Sequence, residues 1–250
     1  MPTAPLHFNP PVIGHRGACA YAPENTMASF VKAAQLKVKW VEFDVMPTSD
    51  GVPIIIHDDL LNRTTNGQGE VSRYSYSALQ SLDAGKWFDY AFSGERIPSL
   101  MTVVQFLQEA KISANIEIKA LPEHEESLIL RVMQEMQPYL SKANEDFLFS
   151  SFSMNALHLL RQIAPTCQMG LLLHAWEPDW QDICHSLNCI SVHVNDEIIT
   201  EKTAQEIKSM GKSLLVYTVN DVKRAKELYA WGVDAVFSDA PDKVYIPATP

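Results

Sequence analysis

Glu42 and Asp44 lie two residues apart in the otherwise apolar segment WVEFDV, and Glu117 interrupts a similar run, ANIEIK. Successive side chains of a strand point to opposite faces, so Glu42 and Asp44 share one face while Val41, Phe43 and Val45 share the other. Taken singly, such acids can simply face water. Brought together in one cavity, three carboxylates repel one another and lose hydration, which a bound cation would offset. An all-oxygen ligand set suits one hard divalent ion, Mg²⁺ or Ca²⁺, rather than zinc. His15 and Arg16 follow the apolar run PVIG, His57 follows VPIII, and Lys119 stands two residues beyond Glu117. Two imidazoles can transfer protons near neutral pH. Beside a metal, Arg16 and Lys119 would favour an anionic, oxygen-rich substrate, with phosphate the first candidate.

These residues need a scaffold that brings strand ends together. Eight strand-like runs recur: PVIGH, WVEFDV, ANIEIK, DFLFSSF, QMGLLL, NCISVHV, SLLVYTV and DAVFSD. Helix-length segments with apolar residues three and four apart lie between most of them, among them ENTMASFVKAAQL and DVKRAKELYAWG. Strands alternating with helices imply a parallel sheet. Eight such units in a chain of 250 residues favour a closed (β/α)₈ barrel over an open sheet, and barrel enzymes build their sites at the C-terminal ends of the strands. The rhythm breaks once, at about residues 51–100, where an insertion opens on the turn SDG and is too long for an ordinary loop. No separate core is evident in it. After the eighth strand only APDKVYIPATP remains, so the last helix should be vestigial. Residues 1–250 then form a single barrel domain carrying one small capping insertion.

The formal net charge is −10, from 20 basic and 30 acidic residues, and no basic run offers a footprint for nucleic acid. No stretch approaches the roughly 18 apolar residues of a membrane span, nor does the N-terminus read as a secretory leader. A cytoplasmic protein without membrane insertion is expected. Cys19, Cys167, Cys184 and Cys189 have the spacing of neither a zinc site nor a compact disulfide framework, and read as reduced thiols. Cys19, although close to His15, is expected to be a small buried residue rather than a nucleophile. A homo-oligomer is compatible with the sequence but not required by it.

The segment GHRGACAYAPENTMASF resembles the H-R-G…P-E-N-T signature of the glycerophosphodiester phosphodiesterase family, in particular its cytoplasmic bacterial members. EFD is similar to the family's E-x-D pair, and HDDLLNRTTNGQG to its second H-D element with R-T-[ST]-N-G. IEIK, SSF, YTVN and GVDAVFSDAP follow in the family's order, so the likeness runs from Val12 to about Val244. It implies a (β/α)₈ barrel with a capping insertion and hydrolysis of glycerophosphodiesters to sn-glycerol 3-phosphate and an alcohol. It further implies Glu42, Asp44 and Glu117 as metal ligands, His15 and His57 as general acid and base, and Arg16 and Lys119 as phosphate contacts. A substrate hydroxyl beside the phosphoester, not a protein side chain, is the nucleophile it implies.

Tyr217 departs from the commoner Trp of W-T-V-N, keeping an aromatic wall for the substrate while adding a hydroxyl. Pro23 and Glu24 would suit the first turn of a helix, and Asn25 could orient the ligand carboxylates. His193 reads as structural, and Trp87 and Phe88 either cap the substrate or pack beneath it. Two rival readings stand beside this one. The first is a barrel phosphodiesterase of the phospholipase C or sphingomyelinase D type, acting on intact lipid. The second is a noncatalytic glycerophosphodiester-binding protein, for which the pair His15 and His57 would have no use.

Overall fold

The computed structural model describes residues 6–119, 121–140 and 146–244. Eight parallel strands close on one another: β1 (Val12–Gly14), β2 (Trp40–Pro47), β4 (Ser113–Ile118), β5 (Phe147–Ser151), β6 (Gln168–Leu173), β7 (Ser191–Asn195), β8 (Ser213–Tyr217) and β9 (Ala235–Ser238). Their order, β1-β9-β8-β7-β6-β5-β4-β2, is sealed by pairing of β1 with β2, Ile13 opposite Trp40 and Gly14 opposite Val41. The ninth strand, β3 (Pro53–Ile55), belongs to the insertion and runs antiparallel to the end of β2. Each of the eight sequence runs forms a barrel strand. Helices α1 (Met27–Gln35), α3 (Leu100–Ala110), α4 (Glu125–Met136), α5 (Met154–Ile163), α6 (Trp180–Ser186), α7 (Glu201–Ser209) and α8 (Val222–Ala230) return the chain between them, and α2 (Tyr76–Leu79) is a single turn in the insertion. The last helix, α9 (Pro241–Val244), is also one turn.

Alternation along the strands sorts the core into two regions. Val41, Phe43 and Val45 of β2 pack outwards among Phe30 of α1, Leu107 of α3 and Leu128 of α4. Trp40 instead faces the barrel interior, in a floor built with Ile13, Leu148, Leu215 and Phe237 and plugged by Leu6 and Phe8. The Phe8 and Trp40 rings lie 5.0 Å apart. Two and four residues up from Trp40, the same inward face carries Glu42 and Asp44. The apolar half of β2 is buried by helices, and its polar half lines the barrel mouth.

β2 continues to Pro47 because β3 takes its edge where β1 departs. β1 stops at Gly14, where a Cβ would lie 2.0 Å from the carbonyl oxygen of Gly17. Arg16 (φ 49°) and Gly17 (φ 91°) turn through the left-handed region, and a Cβ at Gly17 would fall 2.5 Å from Ser29 Oγ. This turn needs glycine for conformation and space at once. Ser29 Oγ fastens it to α1, donating to the Arg16 carbonyl and accepting from Ala18 N–H, each at 2.8 Å. Contrary to the expectation for Pro23 and Glu24, α1 starts only at Met27, with Thr26 as its N-cap. Asn25 sits outside it at φ 57°, a conformation that Asn tolerates better than most residues.

The insertion carries a small apolar cluster of its own, Ile54, Ile56, Leu61, Val71, Leu79, Ala84 and Ile97, seated on Met46 of β2. No sequence period marks it, because its members come from short turns spread along the insertion. Trp87 and Phe88 pack edge to face with each other, 5.7 Å between centroids, and line no part of the cleft described next.

Candidate active site

The C-terminal ends of the strands surround a cleft of about 310 Å³ lined by His15, Arg16, Glu42, Asp44, His57, Asn115 and Glu117 on one side. Phe152, Leu172, His174, Tyr217, Thr218 and Phe237 line the other. The strand register produces this convergence: Glu42 lies opposite Asn115 and Asp44 opposite Glu117 on the neighbouring β4. His57 arrives from the insertion, whose β3 docks on β2 and whose Ile56 N–H bonds the Asp44 carbonyl at 3.1 Å.

Glu42, Asp44 and Glu117 are 4%, 1% and 8% exposed, and each offers an oxygen within 4.8 Å of the others. Burial, then Asp44 and Glu117, push the Glu42 carboxyl well above the ordinary range. Burial, then Asp44, push Glu117 up to about 8. Burial opposes the charge on Asp44 as well, but Lys119, Arg16 and His57, with a hydrogen bond from Asn25, hold its pKa below the usual value. Lys119 Nζ and Arg16 Nε each stand 3.7 Å from Asp44, and Asn25 Nδ2 donates to Asp44 Oδ2 at 2.9 Å. Three carboxyls this close and this buried share the cavity only when protons or a bound cation offset their charge. Glu117 Oε1 is buried without a hydrogen-bond partner among the described residues, as is Asn115 Oδ1. An oxygen-only cluster with unpartnered acceptors fits a hard divalent cation.

Each histidine is held through Nδ1 by a carboxylate. His15 Nδ1 meets Asp239 Oδ1 at 2.6 Å and His57 Nδ1 meets Asp58 Oδ1 at 2.7 Å. Burial works against the charge on Asp239, but bonds from His15, Cys19 and Asn220 outweigh it and keep the carboxyl well below its ordinary range. Bonds from Arg63 do the same for Asp58. Both acids are thus ionised acceptors, so both imidazoles carry hydrogen on Nδ1 and leave Nε2 for proton exchange. His15 Nε2 stands 3.9 Å from Glu42 Oε2. Burial, then the cations Arg16 and Lys119 over the opposing pull of Asp44, lower the pKa of His57, which favours its neutral form.

Asp58 is itself fixed. Arg63 bonds it at 2.7 and 2.9 Å and reaches across to Glu24 at 2.6 and 2.8 Å, and Glu24 takes Arg16 Nη1 at 2.6 Å. The relay His57–Asp58–Arg63–Glu24–Arg16 ties the insertion to the turn after β1, giving Glu24 a defined partner on each side. Asn25 bonds one of the three carboxylates, Asp44. Cys19 Sγ donates to Asp239 Oδ1 at 2.9 Å, and burial pushes its thiol up, away from nucleophilic character. Tyr217 spends its hydroxyl on the Leu173 carbonyl at 2.9 Å and presents only its ring. His193 is fully buried, with Nε2 bonded to Ser191 Oγ at 2.9 Å, below the cleft and outside its lining.

The sequence reading quoted Asp58, Asp239 and Arg63 only as letters of its motifs, without a role, and did not single out Asn115 and Phe152. The first two had a signal: each is an acid at the end of a strand-like run, and barrel closure places the last strand beside the first.

A parallel barrel with carboxylates and carboxylate-anchored histidines at its C-terminal mouth carries the groups that a barrel hydrolase needs. Residues 15–243 match the glycerophosphoryl diester phosphodiesterase family. A glycerophosphodiester phosphodiesterase of Caldanaerobacter subterraneus subsp. tengcongensis is 32% identical over 235 residues, covering 92% of this chain and 94% of that protein. One from Bacillus subtilis is 30% identical over 244 residues, with 92% and 83% covered. Among solved structures, the Oleispira antarctica phosphodiesterase in complex with the product sn-glycerol-3-phosphate superposes with a TM-score of 0.90 at 36% identity, covering 93% of this chain and 94% of that one. The chain belongs to the glycerophosphoryl diester phosphodiesterase family and is an enzyme of that class. Among the described residues no helix is long and apolar enough to cross a membrane.

Proposed function

We propose that this protein hydrolyses small glycerophosphodiesters to sn-glycerol 3-phosphate and an alcohol, with Glu42, Asp44 and Glu117 holding one divalent cation, Mg²⁺ or Ca²⁺. The observation that carries the reading is the pair of Nδ1-anchored imidazoles, His15 and His57, in one cleft with three buried carboxylates. The Oleispira relative, solved with sn-glycerol-3-phosphate, supports the product. When bound, the cation supplies Lewis-acid polarisation of substrate oxygens. The chain's own part is proton transfer and placement. One imidazole accepts through Nε2 the proton of the attacking substrate hydroxyl, and the other donates from Nε2 to the departing alcohol oxygen; water then opens the resulting cyclic phosphate to sn-glycerol 3-phosphate, with the two imidazoles exchanging roles. Arg16 and Lys119 attract the phosphate, and the Tyr217 ring walls the substrate. All four cysteines are free thiols, which suits the cytoplasmic setting expected from the sequence. Residues 1–250 act as one barrel domain, the insertion contributing His57.

Release of sn-glycerol 3-phosphate from glycerophosphodiesters tests this reading, with and without chelator and for His15→Ala and His57→Ala. Turnover should vanish on chelation and fall by about 10²–10⁴-fold in each variant. Full activity in the metal-free protein would remove the ligand assignment, and a normal kcat in either variant would return that histidine to a structural role.

A further inference from the structure

Lys119 does not line the catalytic cleft. It borders a second one of about 250 Å³, open to solvent, formed by Asp59, Ile118, Lys119, Leu121, Pro122 and the Ser151–Ser153 turn. The two clefts share Glu117 and Phe152. A phosphodiester placed at the carboxylates and Lys119 therefore has one ester arm in the catalytic cleft and a route for the other into this space.

The polar groups of the second cleft are largely committed. Ser151 Oγ donates to the Ile118 carbonyl at 2.8 Å and accepts from Ser153 N–H at 3.1 Å. Ser153 Oγ caps α5 by accepting from Ala156 N–H at 3.1 Å. Lys119 Nζ stands 3.7 Å from Asp44 Oδ1, too far for a hydrogen bond, and is the ammonium assigned above to the phosphate. What remains is one carboxylate, Asp59, together with apolar surface that includes Phe152 (43% exposed) and Leu121 (37% exposed). No cation pairs with Asp59 among the described residues. Arg63 bonds Asp58 and Glu24 instead, and the nearby Glu70 is paired with Arg73. With Lys119 turned to the phosphate, the outer part of the space holds an exposed, unpaired acid and an aromatic surface, which repel an anionic group and offer a neutral polyol little that water does not. It favours a compact cation, since ammonium groups are attracted both to carboxylates and to aromatic faces.

We propose that this second cleft receives the alcohol portion of the substrate and selects alcohols bearing a positively charged nitrogen, with Asp59 as counter-ion and Phe152 as the aromatic face. The assignment rests on the hydrolase reading above and adds the leaving-group class to it.

The test compares kcat and KM on glycerophosphocholine, glycerophosphoethanolamine, glycerophosphoglycerol and glycerophosphoinositol at saturating Mg²⁺, for the wild type, Asp59→Asn and Asp59→Lys. The wild type should show the higher kcat/KM on the two cationic substrates. Asp59→Asn should raise KM for those two by about threefold to fivefold, the range of one exposed charge pair, with kcat little changed. KM for the two uncharged head groups should stay as it was. Asp59→Lys should widen the gap to about tenfold through repulsion, and added salt should narrow it. Equal KM changes on all four substrates, or none on the cationic pair, would overturn the subsite while leaving the hydrolase reading intact. Failure of the wild type to turn over any of the four would overturn both.

Discussion

Replacing Asp239 by Asn isolates the contribution of the acid behind His15. The wild-type carboxylate accepts from three side chains: His15 Nδ1 at 2.6 Å and Cys19 Sγ at 2.9 Å on Oδ1, and Asn220 Nδ2 at 2.6 Å on Oδ2. An amide has one acceptor oxygen and one NH₂, so in either orientation it turns N–H towards a donor. Asn220 cannot relieve this by flipping, because its Oδ1 already accepts from Ser238 Oγ and Asp239 N–H, both at 2.9 Å. If the NH₂ faces His15, the imidazole must take the other tautomer and present a hydrogen on Nε2. If it faces Asn220, the ring keeps its tautomer but its bond to a charged acceptor becomes a bond to a neutral oxygen. A hydrogen bond to a charged group contributes about 1.5–3 kcal/mol, and the pair is partly shielded, at 18% and 31% side-chain exposure. At about 1.4 kcal/mol per factor of ten, kcat should drop by roughly 10- to 100-fold. KM should change little, since Asp239 does not line the cleft. Steady-state release of glycerol 3-phosphate measures both, with circular dichroism to establish that the variant is folded. A folded Asp239→Asn protein with wild-type kcat would refute the claim that this carboxylate positions His15 for proton transfer.

Three further outcomes follow from the same geometry. Mg²⁺ or Ca²⁺ should raise the melting temperature of the wild type, by up to about 2.7 kcal/mol of stability at a hundredfold excess over Kd, and Glu117→Gln should blunt that rise. Because burial and Asp44 disfavour the Glu117 charge, the ion-free variant should melt no lower than the wild type, and an undiminished metal shift in thermal scanning would exclude Glu117 as a ligand. Burial pushes the His193 imidazole from 6.5 down to about 3, so unfolding takes up a proton between those values. Its stabilising contribution is whole above pH 6.5 and fades as pH falls, by up to about 1.4 kcal/mol per pH unit. Urea unfolding of His193→Gln should therefore show a shallower loss of stability than the wild type between pH 6.5 and pH 4.5, and parallel curves would contradict a neutral buried imidazole. If the substrate's neighbouring hydroxyl is the nucleophile, 2-deoxyglycerophosphocholine should lose most of its kcat, since aligned intramolecular attack can supply roughly 7–11 kcal/mol. Phosphorus NMR would then detect a cyclic phosphate with the natural substrate, and comparable kcat values for the two substrates would favour attack by water.

Much of the barrel was legible because its signals are local. Period-2 alternation put Glu42 and Asp44 on one face of β2, and each of eight apolar runs bounded by helix-length segments became a strand. The glycines of GHRG were quoted only as part of a motif, and that Gly14 and Gly17 admit no Cβ emerged from the structure. His15, Arg16, Glu42, Asp44, His57 and Glu117 were all nameable from type and position, and all line the cleft. The helix start at PENT read less well, and the side of the mouth on which Lys119 lies was not legible. Lys119 turned out to border the neighbouring cleft, and the left-handed backbone of Asn25 delays the helix in a way that the propensities of Pro and Glu do not announce.

What the tertiary structure alone decided are the partnerships across the barrel. Asp239 meets His15 over 224 residues of sequence because β9 pairs with β1 when the barrel closes, and nothing local to either residue encodes that adjacency. Arg63 joins Glu24 to Asp58 because β3 adds to the edge of β2 and carries the insertion over the mouth. Asn25 reaches Asp44 only through the turn that ejects the chain from β1. Residue type and alternation fix which groups face the interior, since both are properties of the strand itself. Which carboxylate holds which imidazole, and whether a given acid is paired or, as Asp59 is among the described residues, left without a cation, depends on strand register and closure, which arise only when the separate elements pack.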